Sequence, residues 1–255
     1  MAQSEAAQAP SGEFEGAHAA EHEALLGVLA HELRTPITTI YAGSAVLARD
    51  DDLLPAMRRE LAADVYHEAA RLFRAVEDLL VLTRLEYDAV TVTREPISLI
   101  RAIDAGTQSE AARWPGLRIV LRLDGNPPPV AADPIALAHA VRNLVSNVAS
   151  RAAGPTDLEV AVSAEDRQVT CRLIDRTGTL TDEDRRTLFD LPARDQGPGT
   201  PSPGIAMYVA GRLINAMRGS TWVTESEAGA VEIGFGLRLG LNRCLRGMVF
   251  TSARA

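Results

Sequence analysis

The chain has 255 residues, of which 46% are hydrophobic and 24% charged, a balance that is ordinary for a soluble globular protein and that excludes collagen-like and low-complexity chains. Its formal net charge of −8 argues against a nucleic-acid-binding protein, which needs a basic face. The two cysteines, Cys171 and Cys244, lie far apart and predict no disulfide framework. There is no apolar run of transmembrane length and no signal-peptide pattern, so we expect a cytoplasmic location.

The N-terminal third of the chain contains a short polar segment followed by two periodic ones. Residues 1–20 are small and polar without a hydrophobic period, which predicts a disordered tail. Between residues 21 and 88, apolar side chains recur at three- and four-residue steps in two runs separated by residues 50–54. This spacing predicts an antiparallel hairpin of two amphipathic helices. Because one hairpin gives each apolar stripe only a single partner, we expect a homodimer through residues 21–88 that forms a four-helix bundle.

Residues 95–240 alternate between short strands and helices. The predicted helices are 97–113, 133–145 and 205–217, and the predicted strands are 117–123, 158–163, 169–174, 221–224 and 231–239. Some strands are joined by tight turns and others by helices, which predicts an α/β sandwich with a mixed sheet and helices on one face. The expected fold class is therefore α+β, a helical hairpin followed by a sandwich, with residues 241–255 as a C-terminal tail.

One histidine on the first predicted helix has neighbours suited to chemistry. His31 begins the run HELRTP, and a neutral imidazole is nucleophilic near pH 7. Glu32 could take the ring proton, and Thr35 lies one turn further along the same face. Taken alone, these residues also fit an ordinary surface histidine, which is how His67 and His139 are interpreted.

The surrounding motifs give HELRTP a family context. It resembles the phosphoacceptor box of sensor histidine kinases, and VAADPIALAHAVRNLVSNVASRA resembles their Asp-Pro helix and N box. LIDRTG stands at the first glycine box, TLFDLPAR resembles the F box, and SPGIAMYVAGRLINAMRG resembles the second glycine box with its helix. Each motif is weak, but five in the family's order, from residue 21 to residue 239, make a specific resemblance.

The resemblance implies an ATP-binding sandwich that phosphorylates the hairpin, with ATP and Mg²⁺ as cofactors and the receiver domain of a response regulator as partner. The implied catalytic residues are His31, Glu32 and Thr35, and the implied Mg²⁺ ligand is Asn147. The implied nucleotide-binding residues are Asn143, Asn147, Arg151, Asp175, Gly178, Gly199 and Gly204. By the same resemblance, Asp175 accepts a hydrogen bond from the adenine amino group, and the glycines let backbone N–H groups approach the phosphates.

The glycine boxes depart from the family's pattern. The first reads Asp175-Arg-Thr-Gly-Thr instead of Asp-x-Gly-x-Gly, and Pro203 removes an N–H donor from the second. Ser150 stands where a basic residue is common, and Glu232 is expected to add negative charge near the nucleotide. Three functions therefore stay open: an ATP-dependent histidine kinase, an ATP-independent histidine phosphotransferase or regulator phosphatase, and a non-catalytic dimeric scaffold that binds a response regulator.

Overall fold

The computed structural model describes residues 11–49, 53–86, 92–151, 154–165, 167–176, 180–192, 204–226 and 229–240. The chain divides into two compact units. The first comprises residues 1–76 and 191–200, and the second comprises residues 77–190 and 201–255.

Two long helices form the N-terminal part of the chain. Helix α1 spans Ser11–Arg49 and helix α2 spans Pro55–Glu86, which confirms the predicted helical hairpin. The predicted tail is wrong for residues 11–20, which are helical. This segment is rich in alanine and glutamate, strong helix formers, and it extends an existing helix without a new nucleus. Residues 1–10, the rest of the predicted tail, lie outside the described residues.

Two contacts establish that α1 and α2 run antiparallel. A Cβ added at Gly43 would lie 2.6 Å from Cγ2 of Val65, so the helices approach closely there. Nearer the start of α1, Oε2 of Glu32 lies 3.7 Å from Nη2 of Arg71 on α2. Glu32 precedes Gly43 in α1, whereas its partner Arg71 follows Val65 in α2, so the two helices run in opposite directions.

Much of the apolar surface of these helices is exposed in the single chain. The exposed large hydrophobic residues of α1 and α2 are Leu26, Ile37, Tyr41, Val46, Met57, Tyr66, Phe73, Val76 and Leu80. An exposed apolar surface of this extent is typical of a protein–protein contact. Within the described ranges, neither these helices nor the shorter ones have an apolar stretch long enough to cross a bilayer.

The second unit is an α/β domain that also includes the end of α2 from residue 77. Its helices are α3 (Leu99–Arg113), α4 (Pro134–Arg151), α5 (Asp182–Thr187) and α6 (Gly204–Ala216). Its strands are β1 (Glu95–Ile97), β2 (Leu117–Leu123), β3 (Val130–Ala132), β4 (Thr156–Glu165), β5 (Gln168–Asp175), β6 (Ser220–Glu225) and β7 (Val231–Arg238). The sequence prediction missed β1, β3 and α5, because elements of three to six residues are too short to show a hydrophobic period.

The main sheet has the order β2-β4-β5-β7-β6. Strands β2 and β4 are parallel and the other neighbours are antiparallel, so the predicted mixed sheet is confirmed. A separate two-stranded sheet pairs β1 with β3.

The core lies between the main sheet and helices α3, α4 and α6, with α4 contacting both other helices. Alternate residues of the strands point into it, as Val160 on β4 and Phe235 on β7 show. Cys171 on β5 is also buried, and burial raises the pKa of its thiol to about 12, as befits a small core residue. The opposite face of the sheet carries ion pairs such as Arg122–Glu159, at 3.4 Å.

Candidate functional site

The HELRTP run lies on the surface of α1. His31 and Thr35 are exposed, whereas Glu32 is half-buried and its carboxylate points toward Arg71 on α2. The imidazole is therefore accessible to a reaction partner, and the neighbouring carboxylate is held on the α2 side of the helix.

The side chain of Asp133 caps the N-terminus of helix α4. Oδ1 of Asp133 accepts hydrogen bonds from the backbone N–H groups of Ile135 and Ala136, each at 3.0 Å, and Oδ2 accepts one from Thr93 Oγ1 at 2.8 Å. Burial acts to raise the pKa of Asp133, but these hydrogen bonds outweigh it and hold the pKa below its ordinary value. Pro134 follows as the first helical residue, where its missing N–H costs nothing.

Three of the expected nucleotide-binding residues lie on α4 at four-residue steps, so they share one face of the helix. They are Asn143, Asn147 and Arg151, and both asparagines are buried. Oδ1 of Asn147 and all three guanidinium nitrogens of Arg151 are buried without a hydrogen-bond partner in the described part of the chain. Burial lowers the pKa of Arg151, while the carboxylates of Asp175 and Asp184 act to raise it.

Such unpaired buried groups are costly, and they fit the implied ligands. A carboxamide oxygen is the hard donor that Mg²⁺ prefers. A guanidinium with free N–H groups matches a phosphate. The residues present at Asn147 and Arg151 therefore suit a metal–nucleotide complex. No group of three or more His, Cys, Asp or Glu side chains that could hold a metal occurs among the residues described.

Two further expected residues lie at the ends of neighbouring elements. Asp175 is the last residue of β5 and is 1% exposed. Gly204 is the first residue of α6 and has a φ of 62°, a left-handed conformation that favours glycine. At this position it begins a 13-residue helix, whose first N–H groups have no partner within the helix itself. The other two expected glycines, Gly178 and Gly199, lie outside the described residues.

Asn143 has a different environment from the other two α4 residues. Its Nδ2 donates to Oδ1 of Asp78 at 2.9 Å and to the backbone oxygen of Ala206 at 3.2 Å. The same Asp78 oxygen lies 2.6 Å from Nε2 of His139. Sequence reasoning missed Asp78 and treated His139 as an ordinary histidine. The one available signal was a carboxylate inside the apolar run VEDLLVL of α2.

One expectation about charge near the nucleotide is corrected by the structure. Glu232 is paired in register with Ile174, and its carboxylate lies 3.9 Å from Arg172 on the outer face of the sheet. Because successive strand residues point to opposite faces, it does not add charge on the core face, where Asp175 points. Ser150 donates its hydroxyl to the backbone oxygen of Asn147.

Two protein-family models match the chain. The His Kinase A (phospho-acceptor) domain matches residues 21–88, and the Histidine kinase-, DNA gyrase B-, and HSP90-like ATPase matches residues 132–241. Sensor histidine kinase CpxA of Escherichia coli K12 is 26% identical over 216 residues, which cover 82% of this chain and 45% of CpxA. The chain spans less than half the length of the first curated relatives that it matches.

Two solved structures share the fold. Histidine kinase AdeS of Acinetobacter baumannii gives a TM-score of 0.64 at 19% identity, over 83% of this chain and 98% of AdeS. Histidine kinase ThkA, solved in complex with the response regulator protein TrrA, gives a TM-score of 0.58 at 18% identity, over 82% of this chain and 59% of that one.

Proposed function

Because the chain belongs to the sensor histidine kinases of two-component systems, we propose that it phosphorylates His31 with ATP and passes the phosphoryl group to a response-regulator aspartate. The observation that carries this proposal concerns two buried groups on α4, Asn147 Oδ1 and the Arg151 guanidinium, which have no hydrogen-bond partner among the described residues. Buried polar groups without hydrogen-bond partners are costly, and a bound metal–nucleotide complex would supply those partners.

The acceptor residues have the chemistry that the reaction needs. His31 is exposed on α1 and attacks through an imidazole nitrogen, forming an N–P bond as the bond from the γ-phosphorus to its leaving oxygen breaks. Glu32 takes the proton that the ring loses. Thr35, one turn further along, orients a water molecule when the phosphorylated regulator is hydrolysed.

Residues of the α/β domain hold the nucleotide. Asn147 coordinates Mg²⁺ through Oδ1, Arg151 pairs with phosphate oxygens, and Asp175 accepts a hydrogen bond from the base. The start of α6 at Gly204 offers backbone N–H groups to the phosphates. When bound, MgATP supplies the phosphoryl group and the metal charge that offsets the phosphate oxygens.

Two partners complete the proposal. The exposed apolar residues of α1 and α2 pair with those of a second copy through residues 21–88, giving a four-helix bundle. A response-regulator receiver domain binds at the hairpin near His31; histidine kinase ThkA, which shares the fold, was solved in complex with a response regulator protein.

Incubation with [γ-³²P]ATP and Mg²⁺ tests the proposal. We expect acid-labile labelling of the wild type, none in His31→Ala, and full labelling in His67→Ala, which removes another exposed histidine from the hairpin. Labelling that survives in His31→Ala contradicts the proposed acceptor.

The altered glycine boxes leave two alternative functions open, and phosphorylation and binding assays with a response regulator distinguish them. A wild type that is unlabelled by ATP but accepts phosphate from, or removes it from, a phosphorylated regulator is an ATP-independent phosphotransferase or phosphatase. A wild type that does neither but binds the regulator is a scaffold.

A further inference from the structure

A buried carboxylate at the end of α2 joins that helix to α4. Asp78 is 3% exposed and lies one turn before Leu82, which is 1% exposed. Its Oδ1 lies 2.6 Å from Nε2 of His139 and 2.9 Å from Nδ2 of Asn143, and Nη2 of Arg142 is 3.8 Å away. A carboxylate this deeply buried needs such partners, and all three come from one face of α4.

The carboxamide of Asn143 connects this carboxylate to the start of α6. Besides the bond to Asp78, Nδ2 donates to the backbone oxygen of Ala206 at 3.2 Å. Ala206 lies two residues after Gly204, the first residue of α6. Asn143 itself lies one turn before Asn147 on α4. One amide nitrogen therefore joins the end of α2, the middle of α4 and the first turn of α6.

The orientation of that amide depends on what faces it. The terminal torsion of an asparagine side chain is broad and roughly two-fold, so its nitrogen and oxygen exchange places at little intrinsic cost. Asp78 Oδ1 and the backbone oxygen of Ala206 both accept from Nδ2, so together they select the orientation with Nδ2 toward them. In the reversed orientation, Oδ1 would face two acceptors.

We infer that Asp78 is a positioning residue for the nucleotide site, which orients the Asn143 carboxamide so that it holds the first turn of α6 beside Asn147. The inference rests on the proposed nucleotide-binding function. Asp78 does not contact the ligand in this assignment; it acts through Asn143.

A neighbouring residue provides a matched control. Glu77 also contacts α4, where its Oε2 accepts a hydrogen bond from Nη1 of Arg142 at 2.8 Å. No hydrogen bond joins Glu77 to Asn143 in the described structure. Removing the Glu77 carboxylate therefore weakens the contact between α2 and α4 without releasing the Asn143 amide.

The test is a titration of the chain with a fluorescent, non-hydrolysable MgATP analogue. We expect Asp78→Ala to weaken binding about tenfold, since the acceptor that orients the Asn143 amide is lost. Asp78→Asn keeps an acceptor oxygen and should bind within about twofold of the wild type, as should Glu77→Ala. Asp78→Leu, which fills the same space without an acceptor, should match Asp78→Ala, so the conclusion does not depend on the alanine variant folding.

A double-mutant cycle shows whether Asp78 acts through Asn143. In the Asn143→Ala background, Asp78→Ala should cause no further loss of nucleotide affinity, and the two changes should also be non-additive in Tm without nucleotide. Additive losses of affinity would overturn the inference. So would wild-type binding by Asp78→Ala and Asp78→Leu, an Asp78→Asn variant as weak as Asp78→Ala, or an equal loss in Glu77→Ala. A wild type that binds no nucleotide overturns the proposed ATP-dependent function and this inference with it, whereas unaffected Asp78 variants of a binding wild type remove the inference alone.

Discussion

The helical hairpin and the α/β domain differ in how much of their apolar surface is buried within one chain. In the domain, Phe235, Met207 and Leu144 are fully buried. On the hairpin, Tyr41, Tyr66 and Phe73 are each more than 60% exposed. The domain therefore completes its own core within one chain, whereas the hairpin leaves an apolar surface for another molecule to cover.

The polar groups of the two regions have different surroundings. Arg71 and Glu32 on the hairpin pair across its two helices at the surface. In the domain, Asn147 and Arg151 bury polar atoms that lack partners in the described residues. Buried polar atoms without a hydrogen-bond partner in the described residues also occur on the hairpin, at Oε2 of Glu68. The exposed apolar surface of the hairpin suits a protein partner, and the position of Asn147 and Arg151 on one face of α4 suits a charged ligand.

The largest effect should come from the core of the domain. Phe235→Ala removes a fully buried ring and should lower the free energy of unfolding by about 3–5 kcal/mol, measured by urea denaturation. The matched change Phe73→Ala on the hairpin should cost the single chain less than about 0.5 kcal/mol, as exposed sites do. Equal losses would break the contrast between the two regions.

The second effect concerns association through the hairpin. Phe73→Ala should raise the dimer dissociation constant about tenfold or more, because exposed aromatic side chains that become buried in an interface dominate its energy. Sedimentation equilibrium measures this constant. Leu121→Ala removes a half-exposed apolar residue from β2 and should leave the constant unchanged, so a similar shift in both variants would contradict an interface on the hairpin.

The third effect separates stability from binding at Arg151. Arg151 has no hydrogen-bond partner among the described residues, but the carboxylates of Asp175 and Asp184 attract it. Replacing it by methionine removes both the desolvation cost of the cation and this attraction, so the Tm of the ligand-free protein should change little. The same change should weaken nucleotide binding about tenfold, through loss of a charge-assisted hydrogen bond. Calorimetry with and without nucleotide measures both quantities. Arg122→Met on the outer face of the sheet is the control, and a loss of affinity there would point to a general electrostatic effect.

The smallest effect concerns the N-terminus of α4. Asp133→Ala should lower the free energy of unfolding by about 1 kcal/mol, the usual contribution of a helix N-cap. Because hydrogen bonds hold the pKa of Asp133 below its ordinary value of 3.8, its stabilisation is present above that value and is lost as the pH falls through the lower, folded-state pKa. The difference between the wild type and the variant, followed by thermal melts, should shrink below about pH 4. A difference that stays constant down to pH 2 would contradict this account.

Most of the fold was predictable because its long elements have clear periods. The stripes of α1 and α2, and the alternation in β2, identified the hairpin and the sheet. The extension of α1 over residues 11–20 was missed because helix propensity, and not an apolar stripe, carries it. The pairing of β1 with β3 was missed because three residues show no period.

For the candidate site, motif order located Asn143, Asn147, Arg151, Asp175 and Gly204 in the chain. Their roles stay predictions, but the structure shows why they differ from one another. Asn147 and Arg151 have buried atoms without a hydrogen-bond partner in the part of the chain that the structure describes, whereas Asn143 donates to Asp78 and Ala206. Nothing in the spacing of these residues distinguishes the two conditions.

By itself, the sequence determined the local structure and the exposed His31 box, because helical and strand periods and turn residues act over a few neighbouring positions. Only the tertiary structure decided that Glu232 points away from the core face and that Asp78 meets Asn143, 65 residues later. Such contacts depend on strand register and on which helix faces pack together. Strand register and helix packing depend on the burial of the whole core, so they produce no pattern among neighbouring residues of the sequence.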